Sequence, residues 1–216
     1  MQSPPGAPGF ASVASVDVAH PDRGAVEAFI AEVYKRRYGA RLSAFLPRLL
    51  ACRNADGHIV AAVGWRDGSE GALFLEQYLD LPAEQLLAAR TGVAIARRTL
   101  AEVGNLAALD AGASRALIAH ATRVLHAHGT RWVVFTATRQ LRNAFRRLRL
   151  VPTELAPARP ERLQGAAAEW GDYYRAHPHV VYGDVAAAHA FLVRYDPGRT
   201  SAEAHVSLGL CMQGLA

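Results

Sequence analysis

The stretch from residue 102 to residue 138 constrains the fold more than any other part of the sequence. Its first part reads as a strand that ends in a turn of small residues, Asp110-Ala-Gly-Ala-Ser-Arg115. Apolar residues then recur at helical spacing, and Gly129 ends the predicted helix. A nearly continuous apolar run from Arg131 to Thr138 is typical of a strand buried on both faces. Strand, helix and strand in this order predict a βαβ-like unit with a right-handed crossover.

The turn in front of this helix has the composition of an anion site. The first amides of a helix are unpaired and lie at the positive end of its dipole, so they favour a phosphate group. We expect Ser114 to be the N-cap, with its hydroxyl accepting from those amides. The alternative is an ordinary tight turn that only lets the helix pack on a sheet. The turn is neither a P-loop nor a dinucleotide fingerprint, since the required Gly-Lys-Ser/Thr and three-glycine spacings are missing.

Composition indicates one globular core rather than several domains. The chain has 216 residues, of which 51% are hydrophobic, and it has only two cysteines. No apolar stretch reaches the ~20 residues of a membrane span, and no signal-peptide pattern begins the sequence. We therefore expect a cytoplasmic protein without an integral membrane segment. Residues 1–9 are rich in proline and glycine, which predicts a disordered leader.

The remaining pattern alternates strands and helices. An alternating stretch near Phe10–Ala19 predicts a first strand, and a helix beginning at Pro21 ends at Gly39. Asn54-Ala-Asp-Gly57 predicts a hairpin between two strands. Further predictions are a strand or buried segment over Leu73–Leu79, a helix over Pro82–Arg90, a strand over Arg97–Ala107, a helix over Arg139–Leu150, a strand over Val151–Leu155 and a helix over Asp184–Val193.

Two features stand out among the charged residues. Glu76 lies inside an apolar run, where a carboxylate must be paired or neutralised unless it sits at a strand end in water. The net charge of +5 is carried almost entirely by arginine, since Lys35 is the only lysine. On the predicted helix after residue 138, one side carries Arg139, Arg142, Arg146 and Arg149. This stripe is either a solvated face or a surface for a phosphorylated or acidic partner.

Several function classes lack support in the sequence. No Gly-x-Ser-x-Gly elbow is present, so a lipase of the usual type is not indicated. His177-Pro-His179 has no flanking set of metal ligands, and we expect no metal. Aromatic interleaving and zinc spacing are both missing from the basic stripe, so we expect no nucleic-acid partner.

Several blocks together resemble the thermostable hemolysin family. These blocks are Tyr38-Gly-Ala-Arg-Leu-Ser-Ala-Phe-Leu-Pro47, Leu73-Phe-Leu-Glu-Gln-Tyr-Leu-Asp80, Glu102-Val-Gly-Asn-Leu-Ala107, Trp132-Val-Val-Phe-Thr-Ala-Thr138 and Trp170-Gly-Asp-Tyr-Tyr174. The family is similar to a divergent branch of the GNAT acyltransferase fold, which acyl-homoserine-lactone synthases also use. The resemblance implies an α/β fold with a mixed β-sheet flanked by helices. It further implies a core over residues 10–155 and a C-terminal extension over residues 156–216.

The resemblance implies an acyltransferase that moves an acyl group from a thioester to an amine. The donor would be acyl-CoA or the acyl-phosphopantetheine of an acyl carrier protein, the acceptor an amine-bearing small molecule, and no cofactor would be bound permanently. Glu102 is the first candidate for the base and Glu76 the second, while Asn105 would orient the acyl chain or amine. Backbone amides near the central strand would bind the thioester oxygen. The donor-binding candidates are Gly104, Leu106, Ala111, Gly112, Ala113, Ser114, Arg115, Arg139 and Arg142.

The turn Asp110-Ala-Gly-Ala-Ser-Arg115 is poorer in Arg/Gln and Gly than the usual GNAT phosphate turn. The sequence departs from the GNAT pattern at two further positions. The tyrosine that commonly protonates the leaving thiolate is matched by Phe145, which has no hydroxyl. The glycine usual before the final strand is matched by Arg149. The general acid is therefore unassigned. Two other function classes remain: a membrane-perturbing toxin, as the family label suggests, and a non-catalytic module that binds an acyl carrier protein.

Overall fold

A computed structural model describes residues 10–163 and 166–195. The predicted leader and residues 196–216 of the predicted extension lie outside these ranges. The strands are β1 (Ser12–Val16), β2 (Arg48–Arg53), β3 (Ile59–Asp67), β4 (Leu100–Ala108), β5 (Trp132–Ala137), β6 (Thr153–Pro157) and β7 (His179–Asp184). The α-helices are α1 (Arg23–Tyr38), α2 (Ala83–Thr91), α3 (Ala111–Ala127), α4 (Arg139–Arg147) and α5 (Val185–Tyr195).

The seven strands form one sheet in the order β1-β2-β3-β4-β5-β7-β6. β4 and β5 pair in parallel, and the other neighbouring pairs are antiparallel. Helix α3 is the crossover between the two parallel strands, so the predicted strand–helix–strand unit and the predicted mixed sheet are both confirmed. The boundary expected after residue 155 falls inside β6, and β7 lies between β5 and β6 in the same sheet.

Helices cover the two faces of the sheet. Side chains of neighbouring residues on a strand point to opposite faces, and on β3 Ala62 packs against α1 whereas Ala61 packs against α3. Helices α4 and α5 join α3 on its face, where their apolar residues pack around Ile118 and Leu192. We call the two sides the α1 face and the α3 face. Among the described residues, no helix is long and apolar enough to cross a membrane.

The segment before α2, predicted as a strand or a buried segment, is a buried segment and not a strand. It forms a short 3-10 helix, Phe74–Tyr78, which buries Leu75 and Tyr78 on the α1 face. The apolar composition allowed a strand, but the carboxylate of Glu76 accepts a hydrogen bond from the amide of Leu73 and closes a turn instead. A longer 3-10 segment, Ala166–Ala176, packs beside the Phe74–Tyr78 helix and against α1.

Candidate active site

The central strands β4 and β5 separate near their carboxyl ends. Their parallel pairing extends only to Val103 and Phe135, although both strands continue further. On the other side of β4, Gly104 pairs with Gly64 and Ala107 pairs with Ala62. Two residues of β4 therefore lie opposite one residue of β3, which defines a β-bulge that bends β4 away from β5.

Asn105 lies at this bulge. Its φ angle is 52°, in the left-handed region, which asparagine tolerates better than most residues. Its side-chain oxygen accepts a hydrogen bond of 2.9 Å from the amide of Leu46. The residue predicted to orient a substrate thus fixes the loop before β2. A Cβ on Gly104 would lie 3.1 Å from the side chain of Leu46, which would have to move by a few tenths of an ångström.

A cavity of about 860 Å³ opens where the two strands separate. Gly104 and Leu106 of the bulge, two of the donor-binding candidates, line it. The cavity has one arm on each face of the sheet, because its walls include residues of α1 as well as residues of α3, α4 and α5. This volume lies within the range of ligand-binding pockets.

The arm on the α3 face is apolar, and we call it the apolar arm. Its walls include Leu117, Ile118, Leu125, Phe135, Leu141, Phe145 and Phe191. Phe135 and Phe145 stack with their ring centroids 5.1 Å apart. Phe145 therefore contributes an apolar wall at the place where the GNAT pattern has a tyrosine. A pocket arm with this apolar lining fits a hydrocarbon chain.

The arm on the α1 face is lined by three tyrosines, and we call it the tyrosine arm. Tyr34 and Tyr38 come from α1, and Tyr173 comes from the 3-10 segment Ala166–Ala176, while Arg37 lies at the rim. The ring of Tyr173 stands 5.2 Å from that of Tyr38 and 6.4 Å from that of Tyr34. None of these tyrosines was identified as a site residue from the sequence. The available signal was the Trp170–Tyr174 block, which belongs to the family resemblance.

The N-terminus of α3 forms part of the cavity wall, but its cap differs from the predicted one. Asp110 is the N-cap, and its carboxylate accepts from the amides of Gly112 at 2.7 Å and Ala113 at 2.8 Å. The prediction of Ser114 as N-cap is therefore wrong. Asp110 precedes the first helical residue and reaches both amides, whereas Ser114 already lies within the first turn. Two amides that were expected to bind phosphate are thus paired to a carboxylate, while Ala111, Ser114 and Arg115 line the cavity.

Glu102 is buried in the centre of the sheet, with 4% of its surface exposed. One carboxylate oxygen accepts from the amide of Phe74 and the other from the amide of Leu75, each at 2.9 Å. Burial raises the pKa of Glu102, and the two amide hydrogen bonds and the charge of Arg66 oppose this rise only in part. The residue lies on the α1 face and, among the described residues, is not part of the cavity wall.

Glu76 is held in an ion pair outside the cavity. Its carboxylate accepts from two nitrogens of Arg97, at 2.7 and 2.8 Å, and from the amide of Ala83 at 2.9 Å. Burial by itself would raise the pKa of Glu76, but these hydrogen bonds and the Arg97 charge lower it to about 2. A carboxylate with so low a pKa is a weak base, so this geometry favours a positioning role for Glu76.

The arginines after β5 do not act as one group. Arg142 donates to the carbonyl oxygens of Ala137 and His177, at 2.9 and 3.3 Å, and so ties the start of α4 to the segment before β7. Arg139 and Arg146 are exposed and have no acidic partner among the described residues. Arg149 has a φ angle of 57°, which explains why the GNAT pattern has glycine at this position.

No group of three possible metal ligands occurs within residues 10–163 and 166–195. The two histidines considered as metal ligands have other roles here. His179 pairs with Glu154 across β6 and β7. His177 has a φ angle of 47°, and its carbonyl oxygen accepts a hydrogen bond from Arg142.

The sheet order and the cavity between β4 and β5 define the class of GNAT-like acyltransferase folds. FeeM, an N-acyl amino acid synthase from uncultured soil microbes, has a TM-score of 0.56 and 13% identity, covering 85% of this chain and 99% of its own. The AHL synthase LasI has a TM-score of 0.56 and 14% identity, and the match covers 82% of this chain and 91% of LasI. BjaI, a CoA-dependent acyl-homoserine lactone synthase solved with SAM and isopentyl-CoA, has a TM-score of 0.55 and 13% identity. The match covers 85% of this chain and 88% of BjaI. At these identities the likeness establishes the fold.

The sequence profile of the thermostable hemolysin family matches residues 16–189. The chain therefore belongs to the thermostable hemolysin family, and the resemblance noted from its sequence blocks is confirmed. No curated protein matches it in sequence.

Proposed function

We propose that the protein is an N-acyltransferase that moves an acyl group from a thioester donor to an amine-bearing small molecule. The observation that carries this proposal is the cavity of about 860 Å³ that passes between β4 and β5. Its apolar arm suits the acyl chain, and its tyrosine arm leaves a separate, more polar place for the acceptor. The similar structures include an N-acyl amino acid synthase and an acyl-homoserine lactone synthase, which supports amide formation.

The bulge of β4 is the proposed position of the reacting carbonyl. The thioester oxygen becomes negatively charged as the amine attacks, and backbone amides that point at it stabilise that charge. The bulge interrupts the regular pairing of β4 between Gly104 and Ala107. The main chain of Gly104, Asn105 and Leu106 therefore supplies the proposed amide donors, and the lack of a side chain on Gly104 lets the donor approach.

Glu102 is the proposed base. An amine arrives as an ammonium ion and must lose one proton before it attacks. The raised pKa of the buried Glu102 carboxylate makes it a better proton acceptor than Glu76. Each carboxylate oxygen has two lone pairs and only one is used by an amide of the 3-10 segment. Since the residue is not in the cavity wall, we propose that a water molecule carries the proton to it.

The donor is proposed to be an acyl-phosphopantetheine thioester, carried either by coenzyme A or by an acyl carrier protein. Asp110 favours the carrier protein, because its negative charge occupies the helix terminus where a pyrophosphate would bind. The exposed Arg139 and Arg146 would then face an acidic carrier surface. Coenzyme A is the alternative carrier, because the similar synthase BjaI is CoA-dependent.

The test is a substrate screen with purified full-length protein. Acyl-CoA and acyl carrier protein thioesters of several chain lengths are incubated with a pool of amines, and new amides are identified by mass. We expect an amide that requires both the protein and a thioester. Lysis of red cells by the purified protein without any thioester, and without amide formation, would contradict the proposal and favour a membrane-perturbing toxin.

A further inference from the structure

Aminolysis of a thioester needs a second proton transfer that Glu102 does not provide. After the neutral amine attacks the carbonyl carbon, its nitrogen still carries a proton to be lost, and the departing sulfur must gain one. Helix α4 cannot supply the donor through Phe145, whose ring stacks on Phe135 in the apolar arm. Phenol groups in the wall of the same cavity occur on the other side, in the tyrosine arm.

The geometry points to Tyr173 as the proton relay of the proposed acyl transfer, an inference that rests on the function proposed above. Tyr173 lines the cavity together with Gly104, and only 6% of its surface is exposed. Its hydroxyl has no hydrogen-bond partner within the described part of the chain, so it is available to a ligand. The hydroxyl is not one of the fully buried side-chain atoms that lack a partner, so it retains some accessible surface.

The segment that carries Tyr173 is fixed against the end of α1. Gly171 has a φ angle of 52°, and a Cβ at this position would lie 2.2 Å from the carbonyl oxygen of Tyr38. The amide of Arg41 also donates to the carbonyl of Glu169 at 2.7 Å. The ring is packed between those of Tyr34 and Tyr38. These contacts hold the phenol in one place, which a proton relay requires.

The adjacent tyrosine provides a contrast. Tyr174 shares a hydrogen bond of 2.6 Å with the hydroxyl of Tyr78 and, among the described residues, is not part of the cavity wall. Tyr34 does line the cavity, but it is one helical turn from Tyr38 on α1 and packs against the ring that we assign.

Burial raises the pKa of Tyr173 well above its usual value, so the side chain is a phenol, and not a phenolate, at neutral pH.

In the proposed step, the amine nitrogen has already bonded to the carbonyl carbon. The carbon–sulfur bond breaks and its electron pair goes to sulfur. The phenolic proton of Tyr173 moves to that sulfur while the second nitrogen proton moves to the phenolic oxygen. The products are the amide and the free thiol, and Tyr173 ends in its starting state.

The experiment compares two donors of the same acyl chain, an alkyl thioester and an aryl thioester. Aryl thiolates are much weaker bases, so they leave without a proton. With the alkyl donor, Tyr173→Phe should lower turnover by about 10²–10⁴-fold, the usual contribution of a positioned acid or base. With the aryl donor, the same variant should remain within a few-fold of the wild type. Tyr174→Phe, which removes the neighbouring hydroxyl, should turn over both donors like the wild type.

Thermal melting of each variant confirms that it is folded, since phenylalanine keeps the ring that packs on Tyr38. An equal loss with both donors in folded Tyr173→Phe would make the residue a packing element and overturn the relay. Unchanged turnover with the alkyl donor would overturn it as well, because solvent would then supply the proton. A wild type that turns over neither donor would instead contradict the proposed acyl transfer, and the relay with it.

Discussion

The carboxylate of Glu102 accepts a hydrogen bond of 2.9 Å from the main-chain amide of Leu75. This contact joins the central strand β4 to the 3-10 helix Phe74–Tyr78, where Phe74 packs on Trp170 with ring centroids 5.7 Å apart. Trp170 in turn packs against Tyr173 at 5.1 Å. The proposed base and the proposed proton relay are thus held by one continuous set of contacts on the α1 face.

The first prediction is that Glu102→Gln lowers turnover by about 10²–10⁴-fold, because glutamine keeps the shape but cannot accept the proton. It should also lower the free energy of unfolding by roughly 1–3 kcal/mol, since the new NH₂ group faces an amide donor and one hydrogen bond is lost. Turnover is measured per folded molecule, and stability by denaturant unfolding. A variant that is less stable but fully active would show that Glu102 is only structural.

The second prediction concerns Glu76 and acid stability. Its pKa is about 2 in the folded protein and 4.5 is its ordinary value. A carboxylate whose pKa is lowered by folding contributes stability above the unfolded value and loses it as the pH falls. The free energy of unfolding should therefore fall between about pH 4.5 and pH 2. Glu76→Gln should be less stable at neutral pH and lose this part of the acid dependence.

The control for that experiment is Glu32→Gln. Glu32 pairs with Arg36 on the surface of α1, where its side chain is 49% exposed. Exposed pairs contribute little, typically about 0–1 kcal/mol. Wild type and Glu32→Gln should show the same acid dependence in urea titrations at each pH. If Glu76→Gln leaves the acid dependence unchanged, the ion pair between Glu76 and Arg97 does not cause it.

The third prediction is that Asp110→Ala lowers stability but strengthens the binding of coenzyme A. Loss of the N-cap should cost about 0.5–2 kcal/mol. It should also free the amides of Gly112 and Ala113 and remove a negative charge beside the site, so calorimetry should give a smaller Kd. Gly112→Val adds a branched side chain to the same turn and should abolish any donor binding at the N-terminus of α3. If the affinity of a folded Asp110→Ala variant does not change, donor phosphates do not bind at the N-terminus of α3.

The fourth prediction is that charge reversal of Arg139 and Arg146 weakens association with an acidic acyl carrier protein. These side chains are exposed, and charges at working ionic strength are screened beyond ~8–10 Å. The double variant should bind more weakly at low salt and show a smaller salt dependence. Arg90→Glu together with Arg98→Glu is the matched control, because it changes the charge of the molecule equally at exposed positions away from α4. Equal salt dependence in all three proteins would make the arginine stripe a solvated face.

Much of the fold was predictable because it depends on local patterns. The buried run Arg131–Thr138 and the helical spacing after Asp110 predict β5 and α3 without knowledge of any contact. The pattern before α2 left a strand and a buried segment open, since the turn there depends on the carboxylate of Glu76. That carboxylate is held by Arg97, a residue 21 positions away, and no spacing rule indicates this pairing.

The candidate site was predictable only in part for the same reason. Gly104, Leu106 and the turn before α3 are adjacent in sequence, so a strand–turn–helix pattern brings them together. Tyr34 and Tyr173 meet only in the folded protein, since α1 and the Ala166–Ala176 segment pack on one face of the sheet. The second half of the cavity therefore has no continuous sequence signature.

The ratio of amide formed to thiol released tests the proposed acyl transfer most directly. Purified protein is incubated with the acyl thioester and amine found in the substrate screen, and both products are quantified in the same samples. Acyl transfer predicts a ratio of about one throughout the reaction, since each amide bond formed releases one thiol. Thiol release without amide, or neither product from a folded protein with every donor and amine offered, would contradict the assignment of this cavity to N-acyl transfer.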